Sequence, residues 1–265
     1  MMAKGITLLL VLVLVLGFGH QLALSYSSPE QVEKATELWQ DSIHAFNNVN
    51  CSACHQNQEN PAFVAQPTYE SCQSCHQNQV ETFLLGKHGI RLHEGLSPLQ
   101  PKFAQIPMQP SAKNRVMNCG TCHNVHSVNT QEAAVSSCLT CHADIHSLNY
   151  KNSRHAEIFF AQESLDHPSV EAVSCATCHL PRQTFEQATG PDFVGINHNN
   201  TLTLKPRDRM VKAVCMNCHG MEYSYNSIFD DGLVESNFDR PPTLEMETLE
   251  MIRVLEQKRT GNSDQ

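Results

Sequence analysis

All twelve cysteines of this chain fall into six copies of one pentapeptide, C-x-x-C-H. The copies are Cys51-Ser-Ala-Cys54-His55, Cys72-Gln-Ser-Cys75-His76, Cys119-Gly-Thr-Cys122-His123, Cys138-Leu-Thr-Cys141-His142, Cys175-Ala-Thr-Cys178-His179 and Cys215-Met-Asn-Cys218-His219. Two thiols at this spacing with an imidazole directly behind them form the attachment signature of c-type haem. The thiols can add to the porphyrin vinyl groups as thioethers. The histidine, next in the chain to the second anchor, reaches the iron as the proximal ligand. On this reading six haems are carried, with His55, His76, His123, His142, His179 and His219 on iron. Zinc sites built from C-x-x-C pairs would leave the following histidines without a task. So would disulfides, and a two-residue loop makes a poor staple.

Iron bound on one face needs a second ligand to be closed. Outside the motifs and the leader, eight histidines remain: 44, 88, 93, 126, 146, 155, 167 and 198. His44 precedes the first motif at a helix end, and His88 closes a short apolar stretch after the second. His126 and His146 follow their own motifs within a helical turn and are placed to swing onto neighbouring haems. His155 and His198 complete the preferred set, and His93 and His167 are weaker candidates. Met108, Met117 and Met221 are alternatives that would raise the potential of the iron they bound. Iron held between two imidazoles is low-spin and closed to substrate, so it passes electrons and does little else.

The elements that must position these groups are short. Val32, Ala35, Leu38, Trp39 and Ile43 recur at helical spacing and predict a helix over 30–46, started by Ser27 or Ser28 ahead of Pro29. Residues 97–111 hold Pro98, Pro101, Pro107 and Pro110, which rules out a long helix and reads as a connector. Ser153-Arg154-His155-Ala156 occupies the place after the second motif pair that Gly86-Lys87-His88-Gly89 occupies after the first. This is an internal repeat of two motifs, a helical stretch and a histidine. Thr201-Leu202-Thr203-Leu204 is expected as a short strand, 221–235 as a helix, and 244–255 as an amphipathic helix packed on a neighbour, ahead of a disordered tail over 260–265.

The expected organisation is a signal peptide over 1–25, an N-terminal dihaem segment over 26–96, a Pro-rich connector over 97–118, a tetrahaem segment over 119–240, and a C-terminal helix and tail over 241–265. About 240 mature residues give roughly 40 per haem, too few for a conventional core around each. The expected fold class is therefore mainly α with much irregular backbone, wrapped around stacked haems.

The leader has Lys4, an apolar run from Ile6 to Phe18, and Ala23-Leu24-Ser25 as a cleavage pattern before Tyr26. The run is shorter than the roughly 20 residues of a spanning helix; an uncleaved N-terminal anchor is the alternative. Export agrees with thioether attachment, which takes place outside the cytoplasmic membrane, so a periplasmic or other extracytoplasmic address is expected. The net charge is −9, and haem propionates would add to it. Nucleic acid is excluded as a partner, and a redox partner with a basic docking rim is expected. A membrane quinol dehydrogenase or another cytochrome would fit, and a homo-oligomer is compatible.

Several segments resemble the hydroxylamine oxidoreductase family of multihaem cytochromes, which shares a haem arrangement with cytochrome c nitrite reductase. They are Trp39-Gln-Asp-Ser-Ile-His44-Ala, Cys119-Gly-Thr-Cys-His-Asn-Val-His126, Ser153-Arg-His155-Ala, Cys175-Ala-Thr-Cys-His179-Leu, and His198 leading to Thr203-Leu-Lys-Pro206. The order and spacing cover about residues 35–240. Family enzymes carry eight haems; against that pattern this chain lacks the first and the catalytic haem, since no cysteine lies between His76 and Cys119. The catalytic cross-linking tyrosine has no match in Glu222-Tyr223-Ser-Tyr225-Asn226. The resemblance thus implies the haem wire and argues against hydroxylamine oxidation. The expected function is electron transfer, with no catalytic residue. Two alternatives stand: a small reductase or oxidase of nitrite, hydroxylamine or a sulfur oxyanion at one five-coordinate haem, with His93 or His167 as proton donor; and a subunit of a haem-bearing assembly that borrows a distal histidine from the next copy.

Overall fold

Short helices joined by irregular backbone make up the chain, and the only sheet among the described residues is a two-stranded hairpin. The computed structural model describes residues 28–56, 62–162, 172–187 and 189–261. The leader with its cleavage site, His167 and the last four residues of the expected tail lie outside the described residues. Among the described residues no helix is long and apolar enough to cross a membrane. The architecture is mainly α, as the sequence implies.

Three of the motifs are single helical turns with their own start signal. Asn50 caps Cys51–His55, and its side-chain oxygen accepts from the Ala53 amide at 3.2 Å. Ser174 and Thr177 form a reciprocal capping box on Cys175–His179, at 3.1 and 3.0 Å. The Thr121 hydroxyl accepts from the Asn118 amide at 3.0 Å ahead of Cys119–Cys122. A cap immediately before the first cysteine fixes where the turn begins. Both cysteines, three apart, then share one face of it.

The helix expected over 30–46 is two: Pro29–Gln40 and Ile43–Phe46. Buried Ser42 restarts the second, accepting from the Ala45 amide at 3.3 Å. The stretch 221–235 likewise divides into Met221–Phe229 and Asp231–Glu235, because Asp230 caps the second through the Leu233 amide at 3.0 Å. Residues 201–204 are turns and not a strand. Asn199 Oδ1 accepts from both the amide and the hydroxyl of Thr201, at 3.1 and 2.6 Å, and this Asx turn bends the chain. The strands are instead Arg182–Phe185 and Phe193–Ile196, paired antiparallel with Arg182 opposite Ile196.

The C-terminal helix runs Glu247–Gly261, so Thr260 and Gly261 belong to it and not to the tail. It is tied to the preceding helices mainly by polar groups. Arg253 pairs with Glu222, and the Met246 amide donates to Asn226 at 3.1 Å, while Ile252 and Leu255 stay exposed. Of its expected apolar stripe only Leu249 is half-buried, so the packing is made in part. The connector holds only the short 3-10 turns Pro101–Phe103 and Pro110–Ala112. It lies along the fourth motif, with the Gln109 amide donating to the Cys141 carbonyl at 2.8 Å and the Ala143 amide to the Pro107 carbonyl at 3.1 Å.

Apolar packing within the polypeptide is thin. One cluster gathers Val135, Tyr150, Ala156 and Phe159; another gathers Met210, Val211, Val214 and Ile228.

Candidate functional site

The six motif histidines are each faced by one histidine from outside the motifs, and the six separations are nearly equal. Ring centroids lie 6.1 Å apart for His76 and His44, and 6.2 Å apart for His55 and His126, His123 and His198, His142 and His88, His179 and His146, and His219 and His155. The preferred candidates are thus all brought to a motif histidine. His93 is exposed at the end of the short helix Ile90–His93, and among the described residues no ring contact involves it. Of the candidate methionines, Met108 meets a motif histidine through the backbone, as an isolated antiparallel bridge to His142.

Two imidazoles on opposite sides of one metal give this spacing. A metal–nitrogen bond of about 2 Å on each side, with each nitrogen about 1 Å from its ring centroid, puts the centroids roughly 6 Å apart. Rings in van der Waals stacking would lie closer, as Phe63 does on His55 at 4.9 Å.

Hydrogen bonds to the other ring nitrogen set the tautomer. His55 Nδ1 meets the Val64 carbonyl at 2.7 Å, His146 Nδ1 the Val234 carbonyl at 2.5 Å, and His198 Nδ1 the Ile196 carbonyl at 3.1 Å. A carbonyl can only accept, so Nδ1 carries the proton and Nε2 is left with its lone pair for a metal. Burial supports the same state. It lowers His88 and His179 to about 4, with neighbouring imidazoles adding to the effect, so both are neutral at pH 7. Burial also pushes the Cys122 and Cys178 thiols up to about 12. None of the twelve cysteines forms a disulfide, and among the described residues no group of three or more His, Cys, Asp and Glu converges as a site for a bare metal ion.

The ligand-bearing segments are held from a distance. His44 comes from the N-terminal helices to face the second motif. His198, past the hairpin, is anchored to the helix Gln77–Leu85, where its amide donates to the buried Thr82 hydroxyl at 3.0 Å. His146 is clamped by the C-terminal segment: Asn237 Nδ2 donates to its carbonyl at 2.9 Å, and Phe238 lies edge-on to both His146 and His155, at 6.4 and 6.3 Å. Asn237 and Phe238 both have left-handed backbone, at φ 59° and 60°. For a phenylalanine this is costly and is tolerated where surroundings over-determine it. Sequence reasoning missed these two residues, and nothing in their spacing marks them. Asp144 was also missed. It is visible as a cap three residues before Ser147, whose amide donates to it at 3.1 Å.

The motifs follow one another in space in their sequence order. Cys54 lies within electrostatic reach of Cys72 and Cys75; the Cys72 and Cys119 thiols face each other; Cys122 neighbours Cys138 and Cys141; Cys138 faces Cys175; and Cys178 neighbours Cys215. At one end Phe63 stacks on His55, and at the other Tyr223 stacks on His219 at 5.0 Å.

No family model matches the chain, and no curated protein matches it at a significant level. The resemblance to the multihaem oxidoreductases therefore rests on the residues quoted for it.

Proposed function

We propose that this chain is an extracytoplasmic hexahaem c-type cytochrome that carries electrons between redox partners. The observation that carries the reading is the set of six histidine pairs at one separation, each joining a C-x-x-C-H histidine to a histidine elsewhere in the chain. The residues fit the group. Each motif offers two thiols for thioethers, each pair offers two imidazoles for one iron, and large apolar side chains such as Phe46, Phe103 and Ile145 are left exposed for porphyrin faces to cover. Bound haem would supply a reversible one-electron couple. The chain's own residues would hold both axial positions, keep substrates off the iron and set its surroundings. The motif contacts support sequence order as the order of the path, with the first and sixth sites as its ends.

The histidine opposite each motif histidine would leave no iron open, which favours electron transfer over the small-oxidoreductase reading. Each opposing histidine comes from the same chain, so no ligand has to be borrowed from a second copy. The leader in the sequence and the thioether chemistry support an address outside the cytoplasmic membrane. The acidic balance suits a partner such as a quinol dehydrogenase or another cytochrome with a basic rim, and the family resemblance supports a wire without the catalytic haem.

The test is the protein purified from a host that attaches haem c. The expected result is covalent mass gain for six haems and a ferric spectrum that is low-spin throughout. Colourless protein, or protein without covalent gain, would overturn the reading. A high-spin iron would replace it with the enzyme.

A further inference from the structure

The fourth and fifth sites share one carboxylate. Asp144 starts the helix Ile145–Asn149, which carries His146 of the fifth site, and it lies two residues beyond His142 of the fourth. Its Oδ2 is 3.7 Å from His142 Nδ1, on the side of the ring away from Nε2, with the two side chains 28% and 21% exposed. Its charge also reaches the buried His179 of the fifth site. The other groups acting there are His146, His142 and His88, so Asp144 is the one anion among them. Ser147 fixes the carboxylate in place, its amide donating to Oδ1 at 3.1 Å and its hydroxyl to Oδ2 at 2.8 Å. The Nδ1 atoms of His55, His146 and His198, by contrast, are met by neutral carbonyls.

We propose that Asp144 makes the fourth and fifth irons the low-potential stretch of the wire. The inference rests on the haem reading above. A negative charge behind a ligating imidazole raises the basicity of that imidazole and favours the more positive, ferric state of its iron. One electron enters each iron on reduction, and no proton transfer is needed. Because the carboxylate is partly shielded from water, its field acts on these two sites more than a surface charge would. Electrons passing between the ends would then cross a rise in energy at the middle of the path. That slows leakage from a reduced end and makes passage depend on the driving force the partners supply.

The test is a spectroelectrochemical redox titration of the holoprotein and of Asp144→Asn. Asparagine keeps the helix cap and removes the charge. Asp144→Ser, which also caps, is the second variant should the first load haem poorly. Asp192→Asn, at an exposed position in the turn of the hairpin, removes a surface charge and is the control. The expected result is six low-spin haems in every variant and a rise confined to the two lowest couples of the Asp144 variants. That rise is about a tenfold shift in the ratio of reduced to oxidised haem at fixed potential, which is about 59 mV for one electron. Six low-spin haems with unchanged couples, or with a shift no larger than that of Asp192→Asn, would overturn the role of Asp144 and leave the haem reading standing. Absence of haem in the parent protein would overturn both.

Discussion

At the scale of the residue, the contrast between His88 and His93 is the sharpest. They are five apart in the chain, yet His88 faces His142 and is held neutral mainly by burial, while His93 is exposed. His88→Ala should open one iron, adding a single high-spin component to the ferric spectrum. His93→Ala should leave the spectrum as it was. A high-spin component appearing in both, or in neither, would break the assignment of the fourth pair. The pairs also differ in ring orientation. The imidazole planes are 3° apart for His55 and His126 and 79° apart for His146 and His179. Parallel planes split the iron d orbitals that accept ligand π density, and perpendicular planes leave them nearly degenerate. Electron paramagnetic resonance of the ferric protein should therefore contain an ordinary rhombic signal from the first site and a strongly anisotropic one from the fifth. The histidines that take part were legible because their motifs and density announce them. Which one faces which was not. His126 lies next to the third motif but faces the first, and local spacing carries no information about contacts between distant segments.

Elements hold these pairs through a few close approaches. Gly86 ends the helix Gln77–Leu85, and a β-carbon there would lie 2.6 Å from Asn200 Oδ1 and 3.0 Å from the Asn200 amide nitrogen, on the segment that carries His198. At Gly89 a β-carbon would meet the Phe83 carbonyl oxygen at 2.2 Å, a backbone atom that cannot swing aside. Gly89→Ala should cost about 1–3 kcal/mol and disturb His88, visible as a lowered Tm together with partial high-spin character. Farther along, Asp230 joins three segments, accepting from Leu233, Arg240 and Thr243. The Arg240 guanidinium is the main cause that holds its carboxyl well below the ordinary range. The stabilisation is therefore full above the unfolded-state value of about 4 and is lost as pH falls towards the folded-state value. Asp230→Asn should melt below the parent at pH 7, and the gap should narrow as both are acidified below about pH 4. A constant gap would mean that the effect does not come from the ionised carboxylate. Helix positions were legible from apolar spacing, but breaks were not, because Ser42 and Asp230 end one helix and begin another through side-chain acceptors that periodicity does not register. The hairpin was missed for a related reason: Arg-Gln-Thr-Phe and Phe-Val-Gly-Ile are too short to show alternation, whereas the polar Asx turn at Asn199 interrupts the stretch that did resemble a strand.

For the whole molecule the decisive quantity is how little apolar surface the polypeptide buries by itself. Among the described residues 14 apolar residues are buried, while 24 large apolar side chains are exposed. So small a core is a weak offset to the conformational entropy of ordering a chain of this length, and on the proposed reading porphyrin supplies the missing contacts. Protein produced without haem attachment should lack a cooperative thermal transition, and the holoprotein should show one. The same argument bears on the path. If motif order is spatial order, the fourth haem bridges a three-haem block and a two-haem block, since Cys122 neighbours Cys138 and Cys141 and Cys138 faces Cys175. Electron tunnelling falls steeply with edge-to-edge distance, so a missing link is not bypassed. A photoreductant attached through Asn47→Cys, on the exposed residue next to the helix bearing His44, should inject electrons at the second site. In the otherwise intact protein they should spread over all the haems. With Cys138→Ala and Cys141→Ala they should stay on the first three, leaving the last two oxidised on the same timescale. Reduction of the last two at an undiminished rate would mean that the path does not run in sequence order.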